Sequence, residues 1–330
     1  MVEDTNLMLD PKLVIIKVDG GIVSQLYFFA AGKLFEKKGY RVKYDITWFE
    51  QEGRGFYSVD KGYNQVYNVN WDIPKIFPNL HIEIASKLEI NRYKKFATDS
   101  ELFLECKPPL YIVGYNYSVN LNIVEICREI RNFFTPLDLL TNDKIKFLGE
   151  EIKRNKSCGV HIRRGDLSKE HVAYGKPTDI DYFLRCINIV MLMHKNIKLY
   201  FFSDDNKWVK ENIVPCIKGI DCVVSDISTP EQGYLDLYFL SLCKIIIGSH
   251  GSMGFGAKLL SQEETLFITP KYNSMLFSMH NIMMINFEPK SNTDFSISKV
   301  KKIKYKILVK IYYYIRQILL RKFLITRDGS

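Results

Sequence analysis

The sequence lacks the long apolar runs that would cross a membrane. No stretch approaches about 18 consecutive uncharged apolar residues, although 47% of the 330 residues are hydrophobic. The chain starts with Met1-Val2-Glu3-Asp4, which is acidic where a signal peptide would be basic and then apolar. We therefore expect a folded protein in the cytoplasm, long enough for two domains.

Cysteine pairs and common catalytic motifs are also missing. The seven cysteines are an odd number, are scattered and include no CxxC pair, so we expect reduced thiols and no metal site. The chain has no GxxxxGK[ST] loop, no GxGxxG after its first predicted strand, no HExxH and no GxSxG. Kinases, nicotinamide-dependent enzymes, zinc proteases and common hydrolases are therefore disfavoured.

The net charge of +9 comes from the C-terminal tail. Between Lys299 and Arg327 there are many lysines and arginines and no acidic residue, whereas the chain before them is balanced. A body that bound nucleic acid would need a basic groove of its own. We expect no nucleic-acid partner.

Residues 299–330 have the pattern of a basic amphipathic helix. Apolar residues recur every fourth position and are flanked by lysines; they are Ile303, Ile307, Ile311, Ile315 and Leu319. Such a helix can lie on an anionic membrane surface, at about 1 kcal/mol per basic residue, on the inner face of the cell membrane beside a lipid-linked acceptor. It can equally pack across the two domains with a solvated basic face.

Strands and helices alternate along most of the chain. A strand at residues 13–18, a glycine turn and a helix at 25–38 open the sequence, whereas residues 49–103 give no clear assignment. After residue 157 the alternation becomes regular, which predicts a parallel sheet covered on both faces. The predicted fold class is α/β, with two Rossmann-like domains facing a central cleft. Their predicted ranges are 1–140 and 141–298, followed by the tail at 299–330.

Polar residues follow four of the predicted strands, where open α/β sheets bind their ligands. The four loops are residues 19–25, 163–166, 203–205 and 249–252. Arg163 and Arg164 are always charged and present planar donors that match phosphate oxygens, which indicates a diphosphate. The alternative is an ion pair between one of them and Asp166 that only holds the loop.

Two other loops also have a functional and a structural interpretation. At Ser249-His250-Gly251-Ser252, Gly251 allows close approach of a ligand and Ser252 can cap the next helix, so that the helix N-terminus faces an anion. A plain turn is the alternative. Asp204-Asp205 has the composition of a metal clamp, but carboxylates at this place also cap helices.

Together these segments resemble the family 11 glycosyltransferases, the alpha-1,2-fucosyltransferases. Residues 159–166 read GVHIRRGD, as in the family, and residues 202–205 with Trp208 resemble its FSDDxxW. Residues 236–243 resemble DLxLMSxC. Gly20, Gly21, Gln25 and Ala30 fall on the family's GGLGNQMFQYA.

The resemblance implies a GT-B fold, GDP-fucose in the C-terminal half, an acceptor glycan on the N-terminal half, inversion at the anomeric carbon, no obligatory metal and no cofactor. Arg163 and Arg164 would hold the diphosphate as catalytic residues, His161 and Asp236 would read guanine, and Ser252 would contact phosphate. The full expected donor site comprises His161, Arg163, Arg164, Asp166, Ser203, Asp204, Asp236, His250, Gly251 and Ser252, and the acceptor side comprises Gly20, Gly21 and Gln25.

The chain departs from the family pattern at three places. Ile22-Val23-Ser24 stands for LGN, His250-Gly251 for Asn-Ser, and Phe255-Gly256 for two tryptophans. The predicted function is transfer of L-fucose from GDP-fucose to a galactose-type hydroxyl of a surface polysaccharide, with an alpha-1,2 linkage. Another linkage or acceptor, or an inactive GDP-sugar-binding module, are the alternatives. Asp19 is a candidate catalytic base, or else part of the loop structure.

Overall fold

The structure is a computed structural model with two parallel β-sheets, each built from one half of the chain. It describes residues 9–50, 57–58, 63–64, 68–99, 106–113, 121–165, 177–270 and 281–285. Among these residues, no helix is long and apolar enough to cross a membrane.

The strands of the N-terminal half are β1 (Leu13–Lys17), β2 (Arg41–Asp45), β3 (Tyr57–Ser58), β4 (Tyr63–Asn64), β5 (Ala97–Asp99) and β6 (Leu110–Val113). Four of them form the first sheet, which is parallel and has the order β2-β1-β6-β5. The other two, β3 and β4, form a separate antiparallel pair. Apolar residues fill β1, and its residues Leu13 to Ile16 are all buried.

The second sheet has six parallel strands, which are β7 (Ser157–Ile162), β8 (Lys198–Ser203), β9 (Cys222–Val224), β10 (Ile245–Ile247), β11 (Leu266–Pro270) and β12 (Ile282–Ile285). Their order in the sheet is β12-β11-β10-β7-β8-β9. The chain runs outward from β7 to β9 and then starts again at β10 on the other side of β7. This reversal makes a crevice between the carboxyl ends of β7 and β10, the place where such sheets bind ligands.

Eleven α-helical segments lie among the described residues. They are α1 (Ile22–Lys37), α2 (Thr47–Glu50), α3 (Ile73–Ile76), α4 (Lys87–Tyr93), α5 (Leu121–Ile130), α6 (Asp138–Thr141), α7 (Asp143–Arg154), α8 (Ile180–Met193), α9 (Asn206–Trp208), α10 (Gly233–Leu242) and α11 (Met253–Leu260). A π-helical turn, Val209–Ile213, follows α9 directly. Side chains fix several starts: Asn142 caps α7 and Asp179 caps α8 by accepting backbone N–H bonds.

Three of the helices, α1, α10 and α11, are largely buried. In α1, every residue from Ile22 to Gly32 is buried, and α10 and α11 are apolar on most of their surface. One apolar cluster includes Val14 of β1, Phe29 of α1 and Phe239 of α10, so it joins both halves. The two halves therefore share one apolar core, to which α1, α10 and α11 contribute.

The predicted fold class is confirmed: the protein is α/β, with two Rossmann-like parallel sheets. The first helix begins at Ile22 rather than at residue 25, because apolar residues continue back to the glycine turn. α5 ends at Ile130 and continues as a 3-10 turn, and a 3-10 turn, Pro230–Gln232, precedes α10. The domain boundaries stay a prediction, and the tail at 299–330 lies outside the described residues.

The contact between α1 and α11 requires glycine at position 256. A Cβ there would lie 2.6 Å from Cγ2 of Val23 and 3.3 Å from Cδ1 of Leu237. We expect Gly256→Ala to lower the free energy of unfolding by about 1–3 kcal/mol through overpacking, as measured by denaturant titration.

Gly21→Ala is the matched control, because a Cβ at Gly21 meets nothing within 4 Å. It should cost less, at most about 1 kcal/mol, because glycine is preferred to alanine at an N-cap. Adding Val23→Ala to Gly256→Ala should restore part of the loss. Equal destabilisation by the two glycine substitutions would contradict the packing argument.

Candidate functional site

The loops that follow β7, β8 and β10 meet at the carboxyl edge of the second sheet. The backbone N–H of Arg163 donates to Oγ of Ser249 (3.1 Å), and that of Arg164 donates to Oδ1 of Asp204 (2.7 Å). Oγ of Ser203 donates to the carbonyl of Ile162 (2.8 Å). Because β7 lies between β10 and β8, its loop is tied to both neighbours.

Arg163 lies on the β10 side of this edge. Gly251 has φ of 128°, and a Cβ there would lie 3.3 Å from Nη1 and 3.6 Å from Cδ of Arg163. The arginine side chain therefore passes directly over the glycine, at the crevice between β7 and β10. The position suits glycine for two reasons, the backbone conformation and the close approach.

Arg164 lies on the opposite, β8 side. Its guanidinium carbon is 3.8 Å from the centre of the Trp208 ring, which is a close cation–π stack. Its Nε lies 3.7 Å from Oδ2 of Asp205 and, although buried, has no hydrogen-bond partner. The two adjacent arginines thus diverge toward different loops.

His161 is buried beneath the same edge. Its Nδ1 lies 3.3 Å from Oγ of Ser249, the hydroxyl that also accepts from Arg163. Burial, and then the charge of Arg163, lower the pKa of His161 to about 3. The imidazole is therefore neutral at any ordinary pH and adds no charge to the site.

Asp236 lies in the first turn of α10 and is partly buried. Burial raises the pKa of Asp236 to about 7, the hydrogen bond from Ser228 opposes this, and the charge of Asp204 adds to it. Oγ of Ser228 donates to Oδ1 of Asp236 at 2.5 Å. This carboxyl group therefore changes charge near neutral pH, which few carboxyls do.

The β10 loop is fixed by its backbone. The N–H of His250 donates to Oγ1 of Thr178 (2.8 Å), and burial followed by the charge of Arg163 lowers the pKa of His250. Ser252 occupies the N-cap position of α11, but its side chain makes no capping hydrogen bond, contrary to our expectation. Its backbone is helical (φ −88°, ψ −14°), whereas a capping serine needs an extended backbone.

The two aspartates after β8 have structural contacts. Asp204 accepts the Arg164 N–H, and a Cβ at Gly165 would lie 3.0 Å from its Oδ2. Asp205 caps α9 by accepting from the N–H of Trp208 (3.0 Å). Within the described part of the chain, no group of three or more His, Cys, Asp or Glu side chains is placed to hold a metal ion. A donor contact for Asp204 stays a prediction, as it does for Ser203, whose Oγ also accepts from the Asp205 N–H.

The N-terminal residues of the expected acceptor side lie near α1. Gln25 is fully buried; its Nε2 donates to the carbonyls of Gly20 (3.2 Å) and Asn70 (2.8 Å), and its Oε1 accepts from the N–H of Asp72 (2.8 Å). Gln25 therefore holds two backbone segments together. Asp19 is partly buried after β1, and Gly21 is exposed. An acceptor role for these residues stays a prediction.

Two departures from the family pattern lie in contact. Val23 stands where the pattern has glycine, and Gly256 stands where it has tryptophan. In the structure the Val23 side chain occupies the space that any side chain at 256 would need. Positions 23 and 256 therefore share one volume between α1 and α11.

Three residues with direct contacts to the site were not predicted as site residues, although Ser249 belongs to a predicted loop. Ser249 binds both Arg163 and His161, Ser228 binds Asp236, and Thr178 holds the β10 loop. The position of Ser249, two residues after β10, was the available signal, whereas Thr178 has no local pattern. Asp166 lies outside the described residues, so its ion pair with an arginine stays open.

Several solved structures are similar to this chain. They include "NodZ alpha-1,6-fucosyltransferase soaked with GDP-fucose", with 14% identity, a TM-score of 0.48, and coverage of 76% of this chain and 93% of that chain. "POFUT1 in complex with GDP-fucose" has 11% identity, a TM-score of 0.45, and coverage of 85% and 99%. The E. coli ADP-heptose lps heptosyltransferase II has 9% identity, a TM-score of 0.44, and coverage of 96% and 99%. A search of the curated proteins finds no match.

The family comparison covers the site. Residues 63–290, well over half of the chain, match the model described as glycosyl transferase family 11. All of the donor-side candidates, from His161 to Ser252, fall within this match, whereas Asp19 and Gln25 precede it. The resemblance of the motifs is confirmed, and the chain belongs to glycosyltransferase family 11.

Proposed function

We propose that this family 11 glycosyltransferase is an inverting fucosyltransferase, which moves L-fucose from GDP-fucose to a hydroxyl group of a glycan. The observation that carries the proposal is the place of Arg163, over Gly251 in the crevice between β7 and β10. A guanidinium in that crevice suits a diphosphate. The family motifs supply the identity of the sugar nucleotide.

The reaction creates negative charge on the departing GDP. The acceptor oxygen attacks the anomeric carbon, the bond from that carbon to the diphosphate oxygen breaks with its electron pair, and the acceptor proton passes to a base. Arg163 and the N-terminus of α11 are placed to stabilise the charge on the diphosphate, which is electrostatic catalysis by groups already in position. Asp19, which follows β1, is the proposed base.

The guanine base is proposed to bind Asp236. An ionised carboxylate accepts from both N1–H and the exocyclic amine of guanine, and adenine cannot make this pair of bonds. The partial burial of Asp236 strengthens such bonds, since competing water is reduced. His161, being neutral, is suited to hydrogen bonding without repelling Arg163.

The acceptor is proposed to be a galactose-type hydroxyl in a surface polysaccharide repeat unit, joined in an alpha-1,2 linkage. The family resemblance supports the linkage, and the basic tail supports a lipid-linked acceptor at the inner face of the cell membrane. A second candidate is a GDP-sugar-binding module without turnover. It is favoured by the departures from the family pattern at residues 22–24, 250–251 and 255–256, which by the resemblance surround the sugar and acceptor more than the diphosphate.

Arg163→Ala should weaken GDP binding about tenfold to hundredfold, since a hydrogen bond to a charged group contributes about 1.5–3 kcal/mol. It should lower kcat further, because the charge on GDP is largest as the bond breaks. Calorimetry with GDP and an assay of fucose transfer to galactose-terminated glycans measure the two effects.

Arg185→Ala, at an exposed arginine of α8, is the charge-matched control and should leave both values unchanged. Wild-type protein that binds GDP tightly, but neither hydrolyses GDP-fucose nor transfers fucose to any glycan of a broad panel, would favour the module. Unchanged GDP affinity in Arg163→Ala would refute the proposed site.

Turnover should not depend on a divalent metal, because Arg163 and the α11 N-terminus are proposed to stabilise the leaving diphosphate. Rates in EDTA should equal those in added Mg²⁺ or Mn²⁺. A rate that falls at least tenfold in EDTA and recovers with one metal would show that the two groups are insufficient.

GDP-fucose affinity should fall as the pH drops from 8 to 6. The pKa of Asp236 is about 7 in the free protein. Below this pH the carboxyl group is protonated, and one of its oxygens no longer accepts from guanine. The affinity should therefore fall by up to about tenfold per pH unit. His161 stays neutral throughout, with a pKa of about 3. The esterified diphosphate of GDP-fucose has no titrating group in this range.

Calorimetry at several pH values measures this dependence. Asp236→Asn should bind more weakly and with no change over the same range, since the amide does not titrate. Affinity in the wild type that is constant or rises toward pH 6 would show that Asp236 does not read the base.

A further inference from the structure

The two arginines after β7 are adjacent in sequence but lie against different strands. Arg163 passes over Gly251, in the loop after β10. Arg164 stacks on Trp208, in the segment after β8. Because successive residues of an extended chain point to opposite sides, Arg163 and Arg164 are poorly placed to bind the same phosphate group.

The indole under Arg164 is fixed by its own segment. Oδ1 of Asp205 accepts a hydrogen bond from the backbone N–H of Trp208 (3.0 Å) and so caps the short helix α9. The π-helical turn that follows carries the fully buried Val209 and Ile213, and Trp208 itself packs against their apolar cluster. A π-helical turn directly after α9 is a costly local structure that recurs at functional sites.

The stack restricts the guanidinium of Arg164. At 3.8 Å from the ring centre, the group is close enough for face-to-face contact, which confines its N–H donors to one plane. Its Nε lies 3.7 Å from Asp205, which places a carboxylate beside it at the limit of an ion pair. The side chain is still 21% exposed, so a ligand can reach it.

The position of this stack relates to the sheet. In Rossmann-like sheets the phosphates lie at the loop after the first strand, and the nucleoside lies toward the end of the next strand outward. Here β7 is the first strand and β8 the next. Ser228, which follows β9, donates to Asp236, and β9 pairs with β8, so the proposed guanine reader lies on this side of β7.

We propose that Trp208 is a positioning residue that holds Arg164 against the nucleoside side of the donor, while Arg163 is the arginine that binds the diphosphate. The inference rests on the proposed GDP-fucose site. It divides the two arginines into separate functions, and it gives Trp208 a function in donor binding through Arg164.

Fragments of the donor test this division. Dissociation constants for GDP, guanosine and inorganic pyrophosphate are measured by calorimetry or competition. Trp208→Leu should weaken GDP and guanosine by the same factor, about tenfold, within the range of a partly desolvated cation–π contact, and should leave pyrophosphate unchanged. Arg163→Ala should weaken GDP and pyrophosphate and leave guanosine unchanged.

Conservative variants separate positioning from folding. Trp208→Phe keeps an aromatic face and should recover most of the guanosine affinity, whereas Arg164→Lys keeps the charge, loses the planar group and should resemble Trp208→Leu. Thermal unfolding accompanies each variant. If Trp208→Leu does not fold, the comparison of Trp208→Phe with Arg164→Lys decides the question.

Three outcomes overturn the inference while leaving the donor site intact. They are equal losses of guanosine and pyrophosphate affinity in Trp208→Leu, loss of pyrophosphate affinity alone, or no change in any affinity. Wild-type protein that binds none of GDP, guanosine and GDP-fucose would refute the proposed function itself, and the inference with it.

Discussion

The hydrogen bonds at the carboxyl end of β7 are the constraint on which the site depends. Two consecutive backbone N–H groups, of Arg163 and Arg164, donate to side chains on two different loops, Ser249 after β10 and Asp204 after β8. A strand end would otherwise leave these donors to water. Their partners fix the direction of both arginines before any ligand arrives, and preorganised charges are the effective ones in electrostatic catalysis. The short GVHIRRGD segment is therefore functional only in a sheet that brings β8 and β10 beside β7.

The contact between the two halves depends on a small residue, Gly256. α1 and α11 approach until Val23 occupies the space beside Gly256. A change of volume on one helix must therefore be answered on the other. Val23 and Gly256 meet this requirement, because the valine fills the space that a side chain at 256 would need.

Local patterns predicted most of the strands, the long helices and the four polar loops. Buried parallel strands are short apolar runs that end at glycine or polar residues, as in β7 and β10, so their periodicity and punctuation were sufficient. The region of β5 and α4 was not predicted, because aromatic residues are spread through it without a single period. Contacts between distant residues were also beyond the sequence. Nothing local pairs Gln25 with Asp72 or places Trp208 under Arg164, since these contacts depend on the order of strands in the sheet.

The charges of the site follow from burial as much as from residue type. His161 lies next to an arginine and is kept neutral, whereas Asp236 is held near its point of ionisation by partial burial and by Asp204. Arg163 and Arg164 keep their charge in any surroundings. The edge therefore combines fixed positive charge from the arginines with the carboxylates of Asp204 and Asp205 and with Asp236, whose charge changes near neutral pH. A histidine that became charged here would add repulsion to Arg163, and burial excludes this. An ionised Asp236 makes the proposed pair of bonds to guanine, so its raised pKa makes the charge available to the base depend on pH near neutrality.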